Sequence, residues 1–135
     1  MTELFLFGRI LFGGFFIYNG IHHFMDVSTM ASYAAGKGVP MAEAAILGTG
    51  VMLIVGGGSV LLGLWPRFGI LCTALFLLGV TPVMHNFWHI PDPGQRMIEM
   101  TSFLKNLALL GGTLMLVAVP RPWAHSVEAR RRIVA

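Results

Sequence analysis

Four stretches of the chain, approximately Leu4–Phe24, Met41–Leu64, Phe68–Trp88 and Met97–Val119, are long, oily and almost free of charge. A helix needs roughly 20 residues to cross about 30 Å of hydrocarbon, and each stretch meets that length. Barrel strands would be shorter and would alternate between apolar and polar residues, and neither pattern is present. Inside lipid the backbone must satisfy its own hydrogen bonds, so the four runs read as helices. The expected fold is all-α: an integral membrane four-helix bundle over residues 1–120, with a basic cytoplasmic tail over 121–135.

Composition agrees. Of 135 residues, 56% are hydrophobic and 11% charged, against about 25% charged in ordinary soluble domains. Mean hydropathy is +0.75. Much of the surface must therefore face the lipid bilayer. The net charge of +3 does not point to nucleic acid, because the basic residues sit at segment ends and not on one polar face. Cys72 stands alone in an apolar run and reads as a small buried hydrophobe.

The breaks between runs are sharp. Pro40 and Pro66 open the second and third helices, where a missing N–H costs nothing. "PDPG" at 91–94 turns the chain toward the fourth, and Pro120 and Pro122 end it. Pro82 lies inside the third helix and predicts a kink. The less oily "DVSTMASYAAGKG" predicts a short interfacial helix between the first two spans, capped by Asp26 or Ser28 and ended by Gly36 and Gly38. The first run carries Glu3 and Arg9 and lacks a small-residue cleavage site, so it reads as a retained span. Arg67, Arg121 and Arg130–Arg132 fall on one side of the membrane, with Arg9 leaning toward it. That bias predicts an inner-membrane protein with both termini cytoplasmic.

Small residues mark the expected helix contacts: Gly13, Gly14 and Gly20 on the first run, Gly48, Gly50, Gly56, Gly57, Ser59 and Gly63 on the second, Gly111 and Gly112 on the fourth. They let backbones approach closely where no hydrophobic force drives association.

Polar residues gather at the outer end. Tyr18, Asn19, His22 and His23 close the first helix, Glu43 opens the second, and His85, Asn86 and His89 close the third. Glu99, Ser102, Lys105 and Asn106 lie in the outer half of the fourth. Tyr18 with His22, Asn19 with His23, and His85 with His89 are each four apart and share a helix face. An ammonium at the depth of Lys105 costs about 2.5–3.5 kcal/mol, so it is expected to face the bundle interior and meet Glu43 or Glu99. Arg9 reads as a snorkelling anchor, and Trp65 and Trp88 as aromatic-belt anchors at opposite faces.

"GRILFGGFFIYNGIHHF", "ASYAAGKGVP", "HNFW" followed by "DP", and "FLKNLALLGG", in that order and spacing, resemble the DoxX family of small four-helix membrane proteins. The resemblance runs from about Arg9 to Gly112. It implies similarity to the small subunit of membrane thiosulfate:quinone oxidoreductases and a link to membrane redox complexes. Residue by residue, it points to Arg9, Gly20, Pro40, His85, Asn86, Phe87, Trp88, Lys105 and Asn106.

Three functions compete. In one, an outer pocket of Tyr18, His22, His23, His85, Asn86, His89, Glu99, Lys105 and Asn106 holds a quinone. Lys105 or a protonated His donates to a carbonyl, Asn86 and Asn106 orient the ring, and Glu99 or His89 relays protons. In the second, His22 or His23 joins His85 as a ligand to haem or a metal between the first and third helices. In the third, the chain is a non-catalytic membrane scaffold or accessory subunit that docks a redox enzyme, with His85 and Lys105 needed for assembly and not for turnover; a protein partner in a membrane complex is expected, and a homo-oligomer is open. The plain alternative for His85 with Asn86 is an interhelical clamp. The chain carries no flavin or nicotinamide motif, which favours a subunit over a self-sufficient enzyme.

Overall fold

The computed structural model describes residues 1–134. The order of elements is α1 (Thr2–Met25), α2 (Val27–Gly36), α3 (Ala42–Leu62), α4 (Pro66–Met84), a single 3₁₀ turn (Phe87–His89), α5 (Pro93–Met115), a second 3₁₀ turn (Leu116–Ala118) and α6 (Val127–Val134). Four of these, α1, α3, α4 with the turn to His89, and α5 with the turn to Ala118, are long and apolar enough to cross a membrane. The chain is an all-α, multi-pass membrane bundle, and α2 is the short helix expected between the first two spans.

Helix boundaries follow the local chemistry. Pro66 occupies the first turn of α4. Asp92 Oδ2 accepts the Gln95 backbone N–H at 2.8 Å and caps α5, whose first residue is Pro93. Pro82 lies in the last turns of α4, which ends two residues later at Met84.

Glycine sets the contact between α1 and α3. A Cβ on Gly13 would lie 2.6 Å from the Gly57 carbonyl oxygen, and one on Gly20 would lie 2.9 Å from that of Gly50. Seven residues forward on α1 match seven residues back on α3, the register of antiparallel helices. Gly56 and Gly69 bring α3 and α4 together in the same way. This is how lipid-embedded helices gain packing energy.

Phe16, Leu53 and Leu77 form the central core, with Phe12, Phe76, Leu109 and Leu110 packed around them. A second core of Val60, Ile70 and Trp123 closes the end of the bundle nearest the termini. Trp123 comes from residues 121–126, the start of the stretch expected to be a basic cytoplasmic tail; it folds back under the helices, and Trp123 is 2% exposed. Buried Thr73 and Thr113 donate to carbonyls one turn earlier, at Gly69 and Leu109, so their hydroxyls cost little in the interior.

Candidate functional site

Two polar centres occupy opposite ends of the bundle. The first lies away from the termini, where α2, α4 and α5 meet. His85 is the residue on which α4 ends, and its Nδ1 lies 2.7 Å from Glu99 Oε2. Tyr33, on the last turn of α2, donates its hydroxyl to Glu99 Oε1 at 3.2 Å. Both carboxylate oxygens are thereby engaged. Lys37, just past the end of α2, donates from Nζ to Asn86 Oδ1 at 2.8 Å and stands 5.6 Å from the Tyr33 ring.

Two features hold this geometry. Arg96 Nε and Nη2 donate to the Ile90 and Pro91 carbonyls and clamp the turn between α4 and α5. Phe87, Trp88 and Phe103 pack edge-on with centroids 5.2–5.8 Å apart and form an aromatic wall beside the cluster. The His85 and Glu99 side chains are 24% and 19% exposed, so the pair is sheltered yet reachable. Burial first, then the facing Glu99 carboxylate, pushes the Tyr33 phenol above its ordinary pKa. The hydroxyl stays protonated at neutral pH and remains a donor.

The expected outer pocket is assembled only in part. His85, Asn86 and Glu99 come together. Tyr18, His22 and His89 are exposed on the outside of the bundle. His23 is buried, but its Nδ1 is 2.7 Å from the Asn19 carbonyl of its own helix, which occupies that nitrogen. Among the described residues no three His, Cys, Asp or Glu side chains converge as a metal site, and the His22, His23 and His85 set does not form one. Asn106 is buried on α5.

Lys105 corrects an expectation. It is exposed on the outward side of α5, and among the described residues no carboxylate lies within ion-pair distance of it. Residues 105 and 106 are about 100° apart around the helix, so with Asn106 facing inward, Lys105 faces out.

Tyr33 and Lys37 escaped the sequence reading. Their spacing of four on a short interfacial helix puts them on one face, which was the available signal. Both lie within "ASYAAGKGVP", yet the resemblance points to neither.

The second centre is Arg9, which also departs from expectation. It does not snorkel. Its side chain is 2% exposed. Nε donates to the Val60 carbonyl at 3.0 Å, Nη2 to Leu61 at 2.6 Å, and Nη1 to Ala124 at 2.8 Å. The first two acceptors lie in the last turn of α3, at the negative end of the helix dipole, and the Val60 carbonyl also accepts the Gly63 backbone N–H at 3.3 Å. The Phe5 and Trp123 rings stand 5.8 and 5.5 Å from the guanidinium carbon.

A family model, DoxX, matches residues 4–86, more than half of the chain. The chain belongs to the DoxX family. Comparisons with curated proteins and with solved structures give no match. The matched segment of this DoxX protein runs from α1 to Asn86 and includes Arg9, Gly20, His85 and Asn86. It leaves α5 outside, so the placing of Glu99, Lys105 and Asn106 rests on this chain's own geometry. What this chain's own arrangement can do chemically is limited and specific. It can share a proton between His85 and Glu99, present the Asn86 amide N–H groups as donors, and hold a planar apolar group against the aromatic wall.

Proposed function

We propose that this DoxX protein is a membrane subunit or partner of a quinone-linked redox complex. In this reading it is an inner-membrane protein with both termini in the cytoplasm, and the His85–Glu99–Tyr33 cluster is its polar site. The observation that carries the reading is the meeting of three titratable side chains from α2, α4 and α5 beside an aromatic wall at one membrane edge. Quinone reduction takes up a proton with each electron, so a quinone site needs a proton-holding pair next to an apolar surface. His85 with Glu99 supplies the pair. Asn86, its carbonyl oxygen already committed to Lys37, has its N–H groups free to donate to a quinone oxygen. The electron donor belongs to the partner.

Titration of the purified protein with a short-chain ubiquinone analogue tests this. His85→Ala and Glu99→Gln are expected to weaken binding at least tenfold, and His22→Ala to leave it unchanged. Equal affinity across all three variants rejects the site.

A scaffold reading has its own support. Lys105 lies about 18 Å along α5 from Pro93, at 1.5 Å per residue, and faces outward at a depth where a lone ammonium costs about 2.5–3.5 kcal/mol. Only 11% of the apolar stretch of α5 is buried, against 39% for the α4 span. A protein partner or a second copy covering α5 would relieve both. Lys105→Met that abolishes co-purification of a partner while quinone affinity stays intact supports docking through α5. Unchanged co-purification removes that reading.

A further inference from the structure

At the end of the bundle that carries the termini, a cleft of about 340 Å³ opens between the start of α4 and the end of α5. Three guanidinium groups line it: Arg67 from the first turn of α4, Arg121 from the segment after α5, and Arg132 from α6. Its floor is apolar, formed by Ile70, Leu116 and Trp123. The cluster around His85 shares none of these residues, and the Arg9 centre shares only Trp123, whose ring stands between the guanidinium and the cleft.

The charge balance of this cleft is one-sided. Arg121 Nη1 has a distant carboxylate in Glu128 Oε1 at 3.9 Å, and Glu128 also accepts the Trp65 backbone N–H at 3.0 Å. Among the described residues no carboxylate lies within ion-pair distance of Arg67 or Arg132. Three cations converging at the edge of a low-dielectric slab repel one another unless an anion joins them. The N-terminus of α4, a 19-residue helix beginning at Pro66, adds the positive end of its dipole at the same place.

We propose that the cleft binds the phosphate diester of an anionic glycerophospholipid. Guanidinium groups match phosphate oxygens in bidentate geometry. The source of the phosphate follows from where the cleft opens. Trp65, 67% exposed, stands beside it as an interfacial aromatic, and Phe68, Leu71, Leu114 and Val117 are exposed on the two helices that flank it. Acyl chains can lie along that surface while the headgroup sits among the arginines. A volume near 340 Å³ is at the low end of small-ligand clefts, roughly 300–1,000 Å³, which suits a headgroup and its glycerol. Basic pockets between helices at a membrane edge hold anionic headgroups elsewhere by the same physics.

The test uses the full chain in detergent, titrated with dioctanoyl phosphatidylglycerol, dioctanoyl phosphatidylcholine and inorganic phosphate. Trp123 fluorescence reports on the cleft, in a Trp65→Phe, Trp88→Phe background, and native mass spectrometry counts bound lipid. One phosphatidylglycerol is expected to bind in preference to phosphatidylcholine. Arg67→Gln, Arg121→Gln and Arg132→Gln should each weaken it about fivefold, the share of one interfacial arginine. Arg130→Gln and Arg131→Gln, outside the cleft, are expected to change affinity less than about twofold. Equal binding of the two lipids overturns the proposal. So does inorganic phosphate binding as tightly as phosphatidylglycerol, which would make this a free-anion site. Equal losses in all five variants would mean diffuse attraction and no site. A fold too damaged to titrate is distinguished by helical circular dichroism, and Arg67→Lys, which keeps the charge, should then retain more binding than Arg67→Gln; the reverse order also overturns it.

Discussion

His85 Nδ1 and Glu99 Oε2, 14 residues apart in sequence and 2.7 Å apart in space, join the end of α4 to the second turn of α5. Hydrogen bonds to charged groups contribute about 1.5–3 kcal/mol when sheltered. Glu99→Gln and His85→Ala should each lower stability by about 1–2 kcal/mol. The double variant should lose less than the sum, because the two changes remove one interaction. Thermal unfolding in detergent of the two single variants and the double measures the coupling; strict additivity would mean the pair contributes nothing.

Tyr33 gives a pH signature. Its folded pKa is raised, by burial and then by Glu99. The stabilisation linked to it is therefore fully present below the unfolded phenol value, about 10, and is lost as pH rises through the folded value. The chain has two tyrosines, so tyrosinate absorbance in a Tyr18→Phe background isolates this one. Its midpoint should lie above the ordinary phenol value of about 10, and Glu99→Gln should bring it down.

Gly13 and Gly14 are adjacent yet should respond oppositely. A Cβ at Gly13 meets the Gly57 carbonyl, whereas one at Gly14 meets nothing within 4 Å. Gly13→Ala is expected to cost about 1–3 kcal/mol as an overpacked backbone contact. Gly14→Ala should be neutral or stabilising by up to about 1 kcal/mol from helix propensity. Paired thermal melts check the contrast.

Arg9→Met would take the side-chain donor from the Leu61 and Ala124 carbonyls and one of two donors from Val60, and release the fold-back segment. A loss of about 3–5 kcal/mol is the expected scale for removing a buried charged donor. Arg9→Lys should recover only part, since one ammonium cannot span acceptors that a planar fork reaches. Chymotryptic cleavage after Trp123 should become fast in both variants, faster in Arg9→Met.

The fold was legible because hydrocarbon imposes a length and a composition that no other architecture satisfies, and the four runs display both. The site was legible in half. His85, Asn86 and Glu99 stood out because polar residues are conspicuous in oily helices. Tyr33 and Lys37 lie on an interfacial helix, where polar residues are ordinary and nothing marks two of them as partners. Lys105 misled because its depth suggested an inward face, while helix phase, fixed by which neighbour packs, turned it outward. Arg9 misled for the opposite reason. A cation near a helix end normally reaches for water, and here the carbonyls at the end of α3 together with the fold-back of Trp123 and Ala124 replace it.

The Arg9–Ala124 bond spans 115 positions, which has a consequence for biogenesis. A ribosome delivers residue 9 to the translocon long before residue 124 exists, so once α3 has supplied Val60 and Leu61 the Nη1 group still lacks its acceptor and must be hydrated until then. Maturation of this protein therefore finishes with a clasp fastened from the aqueous side after the spans are in place.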